Sequence, residues 1–192
     1  SSTSNADASK NSVSLAMGGN GGKGGHAGSV TVNNTGALFS YGNHSTAIFA
    51  QSVGGGGGNG GNSSVSTGEG GSNAVAFGLG GSGGGAGDGA DVVVSNTLSA
   101  DSGITTLGAS AYGMFAQSVG GGGGNGGSVT ASATSSDGGD EEESNGNSAS
   151  TGDGQTSAET DSGVAVAAGL GGSGGAGGDA GDVTLISKKG FI

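Results

Sequence analysis

The sequence predicts a repeat architecture without α-helix, in which short β-strands alternate with polyglycine II helices packed in a bundle, a β-solenoid-like array. Three observations predict it. Five stretches read in triplets with glycine at two of every three positions, and a threefold step is the period of the extended polyproline II-type helix. The thirteen residues FAQSVGGGGGNGG at 49–61 return unchanged at 115–127. Segments that alternate apolar with polar or small residues flank the glycine runs, and period two is the mark of a half-buried strand.

The glycine runs come first. Three long ones start at Gly18, Gly80 and Gly171, and two short ones span 54–62 and 120–128 in the same triplet phase. Such a helix makes no internal hydrogen bonds, so its donors and acceptors must find partners in neighbouring segments or water. Two bare faces let neighbours approach. The positions expected to sit in close glycine-helix packing are Gly18, Gly21, Gly24, Gly54, Gly56, Gly58, Gly80, Gly83, Gly120, Gly122, Gly124, Gly171, Gly174 and Gly177.

The strands follow. Leading segments place Val13, Leu15 and Met17, then Val75, Phe77 and Leu79, then Val166, Ala168 and Leu170, on one face before each long run. Trailing segments start at Ser29, Asp91 and Asp182 and carry Val30 and Val32, Val92 and Val94, Val183 and Leu185. Residues 37–41 and 103–107, a short polar turn, then 47–53 and 113–119 complete the unit, with Phe49, Gln51 and Val53 on one face and Phe115, Gln117 and Val119 on the equivalent one. The expected strand core is Val30, Val32, Phe49, Val53, Phe77, Leu79, Val92, Val94, Phe115, Val119, Leu170, Val183 and Leu185. One apolar face per strand suits stacked sheets.

Residues 1–192 read as a single repeat array, with approximate units 13–73, 74–162 and a partial 163–192. Both ends fall in mid-unit, so a window on a longer array is expected. Within the second unit, 131–162 reads as an acidic, serine-rich loop insertion too polar to pack, with Asp137, Asp140, Glu141, Glu142 and Glu143.

Composition narrows the function classes. The chain has 192 residues, 52 of them glycine, with no proline, cysteine or tryptophan, five phenylalanines and two tyrosines. Collagen is excluded, since it needs glycine once per triplet and abundant proline. A net charge of −11 repels nucleic acid and anionic lipid. No apolar run reaches the length of a membrane span.

Matches to G-x-G-x-x-G are guaranteed by the glycine runs and open no helix, so they carry no nucleotide-binding argument. The stretch 174–180 fits seven positions of the calcium-binding nonapeptide, but Gly181 stands where a large apolar residue belongs and tandem copies are missing. His26 and His44 lack companions for a metal site or a triad, and no nucleophile, base and acid can be assembled. No enzyme, cofactor or metal is expected.

The strings AIFAQSVGGGGGNGG at 47–61 and AYGMFAQSVGGGGGNGG at 111–127, with GITTLGAS upstream of the second, resemble the glycine-rich repeats of large bacterial autotransporter (type V secretion) adhesin passengers. The resemblance covers most of the chain outside the acidic insertion. It implies an exported protein on the bacterial surface or outside the cell, adhesive or fibre-forming. The triplet runs also resemble the polyglycine II bundles of glycine-rich antifreeze proteins, in backbone geometry alone. The expectation is a structural or adhesive fibre segment that associates with itself, through neighbouring repeats or identical chains. The alternatives are a calcium- or ice-binding glycine-rich module and a disordered spacer; the slots of the triplets hold Asn, Lys, His, Ser and Asp rather than the Thr or Ala row that ice binding needs.

Overall fold

The computed structural model describes residues 2–6, 11–67, 73–98, 103–136, 147–151, 154–161 and 164–189. Residues 190–192 and the acidic block from Asp137 to Glu143 lie outside them. No described residue is helical, and about half the chain is strand in mostly parallel sheets. The chain divides into two compact units, the first made of Ser1–Lys23, Gly57–Gly85 and Gly123–Ala176, the second of Gly24–Gly56, Ala86–Gly122 and Gly177–Ile192. Every boundary between them falls inside a glycine run.

The first unit holds two sheets. One has β1 (Ser2–Ala6), β6 (Ser63–Thr67), β11 (Val129–Ser136), β13 (Gly154–Asp161) and β12 (Asn147–Thr151) in that order, parallel except for the antiparallel β12 and β13 pair. The other has β14 (Val164–Leu170), β7 (Asn73–Leu79) and β2 (Asn11–Met17), all parallel. Their inner faces meet in a core of Ala16, Val65, Ala74, Ala76, Val129, Ala131 and Ala133, with Ala165 and Ala167 packed against it.

The second unit has three parallel sheets: β15 (Val183–Lys189), β8 (Val92–Leu98) and β3 (Val30–Asn34); β10 (Tyr112–Val119) and β5 (Thr46–Val53); β4 (Leu38–Tyr41) and β9 (Ile104–Leu107). Its core is Ile48, Ala50, Val92 and Val94. Tight turns join β4 to β5 and β9 to β10, and the backbone turns left-handed there at Gly42 (φ 117°) and His44 (φ 60°), then at Gly108 (φ 149°) and Ser110 (φ 55°). Glycine accepts such a conformation without steric cost.

Pairing aligns equivalent positions of successive repeats. Asn73 lies beside Asn11, 62 residues away, Gln117 beside Gln51, 66 away, and Ser173 bonds Ser82, 91 away. Like therefore stacks on like. The Phe49 and Phe115 rings lie parallel with centroids 5.2 Å apart, and Gln51 donates to Gln117 at 3.0 Å.

The expected core needs correction. In β2, β7 and β14 the small residues point inward: Ser12, Ser14 and Ala16, then Ala74, Ala76 and Gly78. Their large neighbours point out, so Phe77 and Leu170 are exposed and Leu79 only half-buried. The sheets lie too close for anything larger, since a Cβ on Gly78 would meet Val129 Cγ1 at 2.5 Å. Phe49 and Val53 are likewise exposed, and Phe115 and Val119 only half-buried, because Ile48, Ala50 and Ser52 take the inner face. Val92 and Val94 are buried as expected, and Val30 and Val32 pack against them. Val183 and Leu185 stand in register with Val92 and Val94 but are exposed; the covering sheet, β5 with β10, has only two strands.

The polar insertion also needs correction. Residues 131–136, 147–151 and 154–161 are strand, and Ala131, Ala133 and Ser135 are buried. Alternating small residues let 131–135 pack in a stretch expected to be too polar to do so.

Candidate functional site

The five glycine runs carry no strand assignment, yet their backbones are bonded to one another. In the first unit, Gly80 donates to Leu170 O at 2.8 Å, Gly81 to Gly61 O at 2.9 Å and Ser82 to Asn20 Oδ1 at 2.9 Å. Three successive N–H groups thus reach three different neighbours. Gly83 and Gly84 repeat the first two directions, donating to Ser173 O and Gly58 O. A zigzag of bonds crosses all five runs: Gly58 donates to Gly22, Gly84 to Gly58, Gly124 to Gly84 and Gly175 to Gly124, each at 2.7–2.9 Å. The second unit has the same ladder through Gly25, Gly55, Gly87, Gly121 and Gly178. Long and short runs alternate in it and run in opposite directions.

This close approach leaves no room for side chains at most of the expected positions. A Cβ on Gly18, Gly21, Gly24, Gly54, Gly80, Gly83, Gly120 or Gly124 would fall on a neighbouring backbone carbonyl, and one on Gly58 would come within 3.0 Å of Gly22 N. Five expectations are corrected. Gly122 faces open space, and at Gly56 the one neighbour is Gly122 O at 3.5 Å, because both occupy the outward slot of their triplets. Gly171, Gly174 and Gly177 meet only ordinary contacts of 3.6–3.8 Å, since no described run lies beyond the third long one. Positions that sequence reasoning missed are as tight as any, among them Gly81, Gly84, Gly87, Gly121, Gly172 and Gly175.

The outward slots have a bonding role as well. Asn59 Oδ1 accepts from Asn125 N and Asn62 Oδ1 from Ser128 N, as Asn20 does from Ser82. In the second unit Asp88 Oδ1 accepts from Asp179 N and Asp91 Oδ1 from Asp182 N, both at 2.9 Å. His26, exposed as it is, accepts the Asp88 N–H on Nδ1 at 3.1 Å. In these triplets a short side chain ending in an acceptor satisfies the N–H that no carbonyl reaches. Buried Ser52 works in the same way, accepting from Ala90 N and donating to Gly28 O.

The remaining feature is an exposed apolar surface on the first unit. The outer face of β2, β7 and β14 presents Val13, Leu15, Met17, Val75, Phe77, Val164, Val166 and Leu170, between 37% and 73% exposed. At its edge an open groove of about 510 Å³ runs between the Met17, Leu79 and Leu170 column and the Asn20, Ser82 and Ser173 column. Among the described residues no three His, Asp or Glu side chains gather closely enough to hold a metal ion, and no helix is long and apolar enough to cross a membrane. Comparison with protein-family models, curated proteins and solved structures finds no match to this chain.

Proposed function

We propose that the chain is a structural or adhesive, fibre-forming segment of a bacterial surface protein, acting outside the cell and without catalysis. In this reading the repeats form a solenoid-like stack, the glycine runs are polyglycine II helices, and cohesion comes from backbone hydrogen bonding. The observation that carries it is the bonding of each repeat to the next: side-chain and backbone acceptors of one copy meet the same donors of the following copy, at separations of 62, 66 and 91 residues. Such a scheme has no built-in stop, so further repeats or identical chains can extend it. The strings at 47–61 and 111–127, resembling autotransporter passenger repeats, support the placement on a bacterial surface.

Amide hydrogen exchange tests the cohesive part. The N–H groups of Gly81, Gly84, Gly124 and Gly127 are expected among the slowest to exchange, as slow as those of buried strand residues. Exchange at the rate of an unstructured chain would overturn the reading. Electron microscopy of the purified chain tests assembly, with filaments expected and dispersed particles alone counting against it. Antibody labelling of intact cells of the source bacterium tests the location; labelling that needs lysis would refute it.

A further inference from the structure

We propose that the outer face of β2, β7 and β14 is a lateral docking surface for a second copy of this chain, joined face to face about a twofold axis. This goes beyond end-to-end stacking, which uses strand edges and glycine runs rather than this face.

The inner face of these strands is filled by alanine, serine and glycine, so their bulk stands outside with nothing described over it. The exposed side chains present roughly 700 Å² of surface, above the few hundred Å² of apolar patch usual on a soluble monomer. Two such faces together approach the total of about 1,600 Å² that a standard stable interface buries. The three strands carry no charged residue, whereas the whole chain has a net charge of −11. A charged partner or an anionic membrane therefore finds nothing complementary here.

The relief of the face suits its own copy. Leu15, Phe77 and Ala168 lie side by side across the sheet in register. A twofold axis parallel to β7 and midway between the faces sets Leu15 of one copy over the small Ala168 of the other, Val13 over Val166 and Met17 over Leu170, and brings the two Phe77 rings together at the centre. Face-to-face sheets pack about 10 Å apart with interdigitated side chains, and Ala168 leaves room for Leu15 of the other copy.

Sedimentation over a concentration series reads the association. Below the concentration at which filaments form, the native chain is expected to dimerise, and Phe77→Lys to raise the dissociation constant about 30-fold or more, the loss typical of an interface centre. Phe77 is 43% exposed, and circular dichroism checks that the variant keeps its fold. Cysteine substitution gives a second measurement in a chain that has none of its own. A bis-maleimide reagent that spans about 10 Å should join two Val75→Cys chains, because a residue on a twofold axis faces itself across the gap between the sheets, whereas Ser64→Cys, exposed on the other sheet, should not be joined. Three results would each overturn the proposal: a native chain that stays monomeric, association unchanged by Phe77→Lys, and a monomer that binds neutral phosphatidylcholine vesicles through Phe77. Filaments that persist in Phe77→Lys would leave end-to-end stacking intact while removing only the lateral contact.

Discussion

Gly84→Ala is expected to cost about 3 kcal/mol or more of unfolding free energy, at the severe end for a single substitution. The added methyl falls on the carbonyl of Gly22, and Gly84 is bonded on both sides, donating to Gly58 and accepting from Gly124. Relief would require one glycine run to move away, breaking several bonds at once, since the three nearest atoms are all backbone. Gly122→Ala makes the contrast. Its methyl meets nothing within 4 Å, and losing a glycine stiffens the unfolded chain, so this change should be neutral or stabilise by about 0.5 kcal/mol. Urea denaturation of the two variants followed by circular dichroism reads both. Equal effects would show that the glycine runs do not pack as described.

The second large effect is expected in the first unit's core. Ala76→Leu should destabilise by about 3 kcal/mol, the upper range for inserting bulk into a filled interior. Ala76 is fully buried between sheets whose facing residues are Val65, Val129 and Ala131. Leu15→Ala should cost less than about 1 kcal/mol in the isolated chain, since the side chain is 56% exposed and removing it opens no cavity. Thermal denaturation of the pair at low protein concentration distinguishes the two faces. A larger loss for Leu15→Ala than for Ala76→Leu would contradict the inward-facing alanines.

These two cases also show how far the sequence was legible. Alternation around Val13, Val75 and Val166 located β2, β7 and β14, and the strict recurrence of 49–61 at 115–127 marked as equivalent the segments that form β5 and β10. It did not disclose which face turned inward. Hydrophobic pattern assigns the bulky face to the core, but backbone bonding draws these sheets so close that only the other face fits. The signal was present in the uniform smallness of Ser12, Ser14 and Ala16 and of Ala74, Ala76 and Gly78.

The glycine runs teach a similar lesson. Asn59 and Asn62 mark the outward slot of the short run, and counting back three from Asn59 places Gly56 in that slot. Phase, rather than position in the middle of a run, decides which glycines are crowded. Gly171, Gly174 and Gly177 were harder, because their phase is crowded in the central run at Gly80 and Gly83 and is relieved only where a neighbouring run is missing. Strands β6 and β11 escaped notice because serine and threonine dominate them, and their burial depends on small facing residues supplied by distant segments.

An interior of glycine backbone, alanine and serine with only a few buried valines and Ile48 has a thermodynamic consequence. Unfolding exposes much peptide surface and little hydrocarbon, and these two change the heat capacity in opposite directions. The increment per residue should fall well below the usual value of about 12–15 cal/mol/K, a quantity that scanning calorimetry reads directly. A small increment flattens the dependence of stability on temperature, so this chain should weaken little on cooling and resist cold denaturation.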